Sequence, residues 1–161
     1  MKITLKALTS LIALVVLLTY SSCDKNSTPA PSVEEVQLGK LNSTWKLSEA
    51  TLGTPAVSKK SDYANFQLVL SGTVGNADGF TYTTTGRPAN SPWPANGNWV
   101  FGASPETDII RDPKKTADVL PITYSISADG KTLQLSFSFN GTGYPARTSV
   151  VTGNWVFTFT K

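Results

Sequence analysis

The sequence contains no histidine and a single cysteine, and these two scarcities exclude much of the usual chemistry of enzymes. Histidine is the commonest general base near neutral pH and the commonest ligand of transition metals in proteins. A lone cysteine cannot form an internal disulfide. Catalytic triads with histidine, histidine metal centres and disulfide scaffolds are therefore excluded. Any enzyme built on this chain would depend on carboxylates, lysine, tyrosine or serine.

Net charge is also small once the N-terminal residues are set aside. Lys2 and Lys6 account for two of the 14 basic side chains, so 12 remain against 11 acidic ones in the rest of the chain. A nearly neutral domain lacks the basic surface that attracts nucleic acid. The composition therefore predicts no nucleic-acid partner.

The N-terminus has the three parts of a secretory signal. Lys2 and Lys6 provide the positive charge, the apolar run Leu11–Leu18 follows, and the small residues Ser21 and Ser22 end the segment. The apolar run is much shorter than the roughly 20 residues that span a bilayer. We therefore expect residues 1–22 to be removed as a signal peptide.

The cysteine directly after this segment indicates a lipoprotein. Residues 20–23 resemble a lipobox, the signal that lipoprotein signal peptidase cleaves before the cysteine. A diacylglycerol thioether and palmitate-type acyl chains on Cys23 would anchor the protein, because each buried methylene contributes roughly 0.8 kcal/mol. The membrane is thus one expected partner. The expected location is the outer membrane of the cell envelope, facing either the periplasm or the cell surface.

A polar, proline-containing segment separates Cys23 from the rest of the chain. Its composition is typical of a tether, so residues 23–40 are interpreted as a lipid-anchored tether and residues 41–161 as the folded domain. Apolar residues within Val33–Leu41 have the spacing of one or two helical turns before the first strand.

From about residue 42 onward, apolar and polar residues alternate with a period of two. This pattern is typical of half-buried antiparallel strands. Asp129-Gly130 joins two such runs and is a strong signal for a tight hairpin. We predict eight strands, at about 43–52, 64–72, 79–86, 97–103, 107–112, 119–128, 131–140 and 149–160.

Eight strands with mostly short connections predict an all-β, antiparallel up-and-down barrel, because closure removes exposed sheet edges. The predicted inward side chains are mostly bulky, so we expect a filled barrel without a deep lipid pocket. These positions are Trp45, Leu47, Phe66, Leu68, Leu70, Phe80, Tyr82, Trp99, Phe101, Ile122, Tyr124, Ile126, Leu133, Leu135, Phe137, Phe139, Trp155, Phe157 and Phe159.

A short motif recurs in the predicted strands. Gly-Asn-Trp-Val-Phe stands at 97–101 and again at 153–157, and Ser-Thr-Trp-Lys-Leu at 43–47 is a looser copy. Each copy places a tryptophan early in a strand on the apolar face. We expect these rings to plug the barrel near one end; the alternative is a tryptophan cluster that stacks on a ligand.

The domain resembles the small lipocalin-like domains of Bacteroidota lipoproteins. The residues that carry the resemblance are the 43–47 motif, Phe80–Thr85, Thr107–Asp112, the C-terminal Gly-Asn-Trp-Val-Phe-Thr-Phe-Thr-Lys and the Ser-Cys-Asp-Lys junction at 22–25. The resemblance implies a lipocalin-like barrel and an envelope location, and implies little about activity.

The loop Ser91-Pro92-Trp93-Pro94-Ala95 contains the candidate ligand-binding residue, Trp93. Two prolines stiffen the backbone around this ring. A rigid, exposed aromatic ring is suited to stacking on a sugar or another apolar face. The alternative is that Trp93 folds down as a lid over the mouth of the barrel.

Charged residues cluster around the fifth predicted strand. Asp108, Arg111 and Asp112 could combine two carboxylates with a guanidinium, and Asp118 could complete an oxygen site for a hard cation. Their spacing matches no calcium-binding loop. We therefore predict no metal site, no cofactor and no catalytic residue, and expect Asp108 and Arg111 to form an ion pair at the surface or rim.

These observations favour a monomeric, non-catalytic binding or accessory module with ligand contact at the rim or the loops. A glycan and an envelope protein are the two partners considered. The first alternative is an envelope interaction component that holds no small molecule. A hydrolase that uses carboxylates alone is a distant third.

Overall fold

The computed structural model describes residues 29–76, 79–145 and 151–161; the predicted signal peptide, Cys23 and the start of the predicted tether lie outside these ranges. Residues 31–161 form a compact unit. Its helices are α1, Val33–Leu41, and a 3₁₀-helix, Lys60–Tyr63. Its strands are β1 Ser43–Leu52, β2 Val57–Ser58, β3 Gln67–Ser71, β4 Phe80–Thr85, β5 Asn90–Ser91, β6 Asn96–Phe101, β7 Asp108–Arg111, β8 Leu120–Ile126, β9 Thr132–Phe139, β10 Tyr144–Pro145 and β11 Gly153–Thr160.

Eight of these strands close into an antiparallel up-and-down barrel, in the order β1-β3-β4-β6-β7-β8-β9-β11. The barrel closes because β1 changes partner along its length. Its first half pairs with β3 over Ser43–Lys46, and its second half pairs with β11 over Lys46–Leu52. The predicted eight-stranded barrel is confirmed. Asp129-Gly130 forms the tight turn between β8 and β9, with Gly130 at φ 70°.

The barrel has two distinct ends. At the helix end lie α1 and the connections 72–79, 102–107 and 127–131. At the loop end lie the connections 53–66, 86–95, 112–119 and 140–152. Loops on a rigid barrel are where binding groups are commonly presented, so the loop end is the place to look for a site.

Large side chains fill the barrel interior, as the alternation predicted. All the predicted inward positions are buried except Leu47, Phe101 and Ile126, which pack against the core while partly exposed. Rings on neighbouring strands stack: the centroids of Phe137 and Phe157 are 5.8 Å apart and their planes differ by 9°. Burying each such side chain contributes roughly 1.5–3 kcal/mol, most of which is offset by lost chain entropy.

The helix end is covered by α1. The Ser32 hydroxyl accepts a bond from the Glu35 backbone, and the Glu35 carboxylate accepts one from the Ser32 backbone, so α1 begins with a capping box. Leu38 and Leu41 bury the helix against the barrel. The described helices include none long and apolar enough to cross a bilayer.

The three tryptophan motifs have a structural role, but their rings do not gather at one end. Trp45, Trp99 and Trp155 are all buried. Trp155 lies opposite Leu52, whereas Trp45 lies seven residues earlier on the same strand, β1. Seven residues span roughly 23 Å in a strand, so these two rings lie near opposite ends. The expectation of one plugged end is wrong because β1 runs antiparallel to β11.

Candidate functional site

The loop end is covered by a segment that we call the plug loop, residues 86–95. Its short strand β5 pairs with β10 from the connection between β9 and β11, with Ser91 opposite Tyr144 and Asn90 opposite Pro145. This two-stranded strap ties two loops together across the end of the barrel. The plug loop is therefore held at a defined position over the core.

Trp93 points from the plug loop into the barrel and is 1% exposed. Its ring centroid lies 5.8 Å from those of Tyr82 and Phe137, in edge-on geometry, and 6.2 Å from that of Phe157. The exposed position expected of a stacking platform is thus wrong, because the ring packs into the apolar core. The lid interpretation fits the structure, and contact between Trp93 and a ligand stays a prediction that requires the plug loop to lift.

Hydrogen bonds from three sides fix the plug loop around Trp93. The Trp93 backbone N–H donates to the Ser91 hydroxyl at 3.1 Å, and Arg87 donates to the Trp93 carbonyl at 3.2 Å. The Thr84 hydroxyl donates to the Pro94 carbonyl at 2.7 Å. Together with the restricted φ angles of the flanking prolines, these bonds explain why the ring is held in one place.

Arg111, the last residue of β7, lies beneath the plug loop and is also 1% exposed. Its Nη1 donates to the Pro92 carbonyl at 2.7 Å, and its Cζ lies 5.3 Å from the Trp93 ring centroid. Its Nε is 3.5 Å from Oδ2 of Asp112. Burial lowers the pKa of Arg111, while Tyr82 and Asp112 oppose that shift. A guanidinium stays protonated in proteins, even where burial lowers its pKa, so the loop end contains a buried cation.

The predicted ion pair between Asp108 and Arg111 is wrong. Along β7, Ile109 and Arg111 are buried, whereas Asp108 and Ile110 are partly exposed. Side chains alternate between the two faces of a strand, so Asp108 points outward and Arg111 inward. Among the described residues, no group of three or more Asp, Glu or Cys side chains is close enough to hold a metal ion.

Asp112 is the counterion of Arg111 and is 1% exposed. Its carboxylate accepts hydrogen bonds from the Tyr82 hydroxyl at 2.6 Å and from the Asn98 backbone N–H at 3.2 Å. Lys115 approaches to 3.4 Å from the solvent side. Asp112 itself has φ 51°, a left-handed conformation that Asp tolerates better than most residues. The turn after β7 thus directs a carboxylate back into the barrel end.

Gly97 makes the bond between Tyr82 and Asp112 possible. A Cβ at this position would lie 2.2 Å from Oδ1 of Asp112 and 2.6 Å from the Tyr82 hydroxyl oxygen. We therefore expect Gly97→Ala to displace the hydrogen bond to the buried carboxylate and to lower the free energy of unfolding by about 2 kcal/mol or more.

Chemical denaturation of the two alanine variants Gly97→Ala and Gly39→Ala checks this expectation. A Cβ on Gly39 meets nothing within 4 Å, and the residue lies inside α1. Gly39→Ala should therefore be neutral or stabilising by up to about 1 kcal/mol, because alanine favours helix. Equal stability of Gly97→Ala and the unmodified protein would contradict the close packing at Asp112.

A pocket of ≈ 340 Å³ opens at the loop end beside Arg111. We call it the rim pocket and define it by Arg111, Asp118, Leu120, Phe139 and Tyr144. The Tyr144 hydroxyl donates to Asp118, and the Tyr144 ring lies 6.5 Å from that of Phe139. The charge of Asp118 also reaches Arg111, where it opposes the lowering of the pKa by burial. The rim pocket thus combines hydrogen-bonding groups with two aromatic rings.

Three buried side-chain atoms of the described residues have no hydrogen-bond partner, and all three lie in or beneath the plug loop. They are Oδ1 of Asn90, Nε1 of Trp93 and Nε of Arg111. Buried polar atoms in native proteins are paired with few exceptions. The three unpaired atoms therefore lie together at the loop end. One of the three residues, Arg111, also lines the rim pocket.

Buried tyrosines make the protein sensitive to alkali. Burial raises the pKa of Tyr63 and of Tyr124 to about 12, and it also raises that of Tyr82. In the unfolded chain these hydroxyls ionise near pH 10, so the unfolded state binds fewer protons above that pH. Stability is therefore unaffected by these groups below about pH 10. Above it, each tyrosine lowers the stability by about 1.4 kcal/mol per pH unit, up to its folded pKa.

Urea unfolding at about pH 9 and about pH 11 measures this slope. Tyr63→Phe should flatten it, because phenylalanine does not ionise. Constant stability over that interval would show that the tyrosines ionise as readily in the folded protein as in the unfolded chain.

Comparison with known proteins finds no relative of this chain. No family model matches the chain, no curated protein matches it, and no solved structure matches it.

Sequence reasoning found part of this site. It selected Trp93, and it considered Asp108, Arg111, Asp112 and Asp118 as a charged cluster but assigned them no binding role; the structure brings all of these except Asp108 to the loop end. The alternation that placed Ile122 inward would also have placed Ile109 and Arg111 on one face of β7, so a signal for the buried arginine was present. Tyr144 was missed because it follows a strand end in a segment without periodicity.

Proposed function

We propose that this protein is a lipid-anchored lipoprotein of the cell envelope that acts as a non-catalytic binding module, with its ligand in the rim pocket. The observation that carries the proposal is the position of Arg111. This arginine is buried, its Nε lies 3.5 Å from the Asp112 carboxylate, and it is one of the residues that line the rim pocket. A buried charged residue among the lining of a pocket is the kind of polar group by which binding sites orient a ligand.

The charges around the rim pocket favour a neutral ligand that is rich in hydroxyl groups. Arg111 lies beside two carboxylates, Asp112 and Asp118, which would oppose an anion. Hydroxyl groups both donate and accept, so they can pair with a carboxylate and a guanidinium at once. Tyr144 and Phe139 add ring faces for the apolar side of such a ligand. A neutral glycan has this combination of properties.

The same geometry supports binding rather than proton transfer. The Asp112 carboxylate is occupied by Tyr82, by the Asn98 backbone and by two cations. Burial raises the pKa of Tyr82, which keeps its hydroxyl protonated as a donor. A general base needs a pKa near the working pH and a free lone pair aimed at its substrate.

The position of α1 supports the orientation that an anchor at Cys23 would give. The chain enters the barrel through α1, at the helix end. A lipid on Cys23 would therefore be tied to the helix end by the residues between Cys23 and α1. The loop end, with the rim pocket, is the end opposite the attachment and would be free to meet a ligand.

For anchoring, we expect the full-length protein to be acylated at Cys23 and to partition into detergent with the membrane fraction. Cys23→Ala should yield an uncleaved precursor without fatty acid. Labelling with a palmitate analogue, fractionation and mass spectrometry of the N-terminus measure this. Periplasmic protein with a free Cys23 thiol would contradict the lipoprotein part of the proposal.

Ligand binding is tested with the mature chain, residues 23–161, carrying Cys23→Ser to keep it soluble. We expect this protein to bind neutral glycans on an array that also contains acidic ones. Tyr144→Phe should weaken that binding about three- to tenfold, because it removes a hydroxyl from the rim pocket. Tyr124→Phe is the matched control, since its hydroxyl donates to Pro105 at the helix end.

Failure to bind any glycan, or equal weakening by Tyr144→Phe and Tyr124→Phe, would overturn the assignment of the rim pocket. Preference for the acidic glycans would overturn the inferred neutral ligand.

A further inference from the structure

The barrel wall has an opening between β8 and β9 at the loop end. The pairing of these strands stops at Thr123 opposite Ser136. Beyond this pair the two strands continue but do not pair with each other, over residues 120–122 of β8 and 137–139 of β9. On their other sides, β8 stays paired with β7 and β9 with β11. We call this opening the seam.

Pro121 explains why the two strands separate. The Tyr124 backbone N–H donates to Thr107, on the β7 side of the sheet. Backbone groups alternate along a strand, so Pro121 and Thr123 face β9. If the register continued, Pro121 would lie opposite Ser138 and would have to donate to it. Proline has no N–H, so the ladder cannot continue there.

Two depressions meet at the seam. One is a groove of ≈ 490 Å³ on the wall of the barrel. Ile110, Pro121 and Thr123 line it on the β7–β8 side of the seam, and Ser136 and Ser138 line it on the β9 side. The rim pocket shares Pro121 and Ser138 with this groove. The rim pocket and the groove therefore adjoin at Pro121 and Ser138, so a molecule bound beside Arg111 would reach the groove at these two residues.

The chemistry of the groove suits a chain of hydroxyl groups better than a peptide strand. Thr123, Ser136 and Ser138 present hydroxyls, and Ile110 and Pro121 present apolar surface. A peptide that added to the edge would need successive backbone partners. Pro121 donates none, and Ser138 is the single residue of the opened part of β9 whose backbone faces the seam.

We propose that the rim pocket and the seam form one continuous site for a linear neutral glycan, which begins at Arg111 and continues along the outer wall between β8 and β9. This inference rests on the proposed function and specifies its ligand as a chain of several sugar units. A longer chain makes contacts that a single sugar cannot make, so affinity should increase with chain length.

The test titrates the Cys23→Ser mature chain with neutral gluco-, galacto-, manno- and xylo-oligosaccharides of about one to six units. Pro121→Val restores an N–H opposite Ser138 and should close the seam. Slower amide exchange at Ser138 would verify the closure. Ser136→Tyr fills the groove by a separate route and leaves the rim pocket untouched. Thr83→Val, on the exposed face of β4, is the control.

We expect the unmodified site to bind the longest chains at least about tenfold more tightly than the single sugar. Pro121→Val and Ser136→Tyr should abolish that gain. Ser136 lies outside the rim pocket, so Ser136→Tyr should also keep the affinity for the single sugar, and Thr83→Val should change neither. Binding without length dependence, or length dependence that survives either seam variant, would overturn the seam and leave the rim pocket standing. Absence of all glycan binding would overturn both.

Discussion

Trp93→Ala should lower the free energy of unfolding by about 3–5 kcal/mol, the usual loss when a large buried aromatic side chain is truncated. Trp93 is 1% exposed and contacts rings on three strands. Removing the indole leaves a cavity that the strands cannot collapse to fill, since the strap and the hydrogen bonds of the plug loop fix its walls. Such a loss is a large fraction of the stability of a small domain.

Urea denaturation of Trp93→Ala, Trp93→Phe and Val57→Ala measures this effect. Trp93→Phe refills most of the volume and should lose less than half as much. Val57 is exposed, so Val57→Ala should stay within about 0.5 kcal/mol of the unmodified protein. Iodide should quench the unmodified protein and Trp93→Phe to a similar extent, because the ring is shielded. A loss below about 1 kcal/mol for Trp93→Ala would return Trp93 to the solvent-exposed position of a stacking platform.

The second large effect concerns the charge beneath the plug loop. Asp112→Asn should lower the free energy of unfolding by about 3–5 kcal/mol, because it removes the buried carboxylate that lies 3.5 Å from the buried guanidinium of Arg111. Arg111→Met should cost less. Asp112 would still have Tyr82, the Asn98 backbone and Lys115 as partners, whereas Arg111 depends on Asp112 more heavily.

A double-mutant cycle separates the ion pair from the packing. The combined variant Arg111→Met, Asp112→Asn removes both charges, so it should be more stable than the sum of the single losses predicts, by about 1–3 kcal/mol. Asp62→Asn, at an exposed aspartate, is the control and should change stability by less than about 0.5 kcal/mol. Additive losses would show that Arg111 and Asp112 do not stabilise each other across 3.5 Å.

The parts of the fold that follow from local pattern were predictable. Alternation along β9 and β11 identifies the buried face of each strand, and Asp129-Gly130 specifies the hairpin between β8 and β9. Each of these features depends on residues close together in the sequence. The helical turns of Val33–Leu41 were predicted on the same basis and are confirmed as α1.

The strap was not predictable, because its two strands are too short to show periodicity. Each is a two-residue strand, and Asn90 meets Pro145 across more than fifty positions of sequence. The seam was equally hidden. Pro121 marks a position that cannot donate a hydrogen bond. Only the register of β8 and β9 shows that Ser138 is the residue opposite it.

The sequence by itself determined the charge balance, the lack of histidine and the alternation that specifies an eight-stranded barrel with a filled interior. The tertiary structure alone decided that Trp93 lies in the core, that Arg111 is a buried cation paired with Asp112, and that the barrel wall opens beside them. The physical reason is that alternation reports which face of a strand is apolar, whereas the position of a loop side chain depends on the space that distant strands leave. For Trp93 that space lies between Tyr82, Phe137 and Phe157, which only barrel closure brings together.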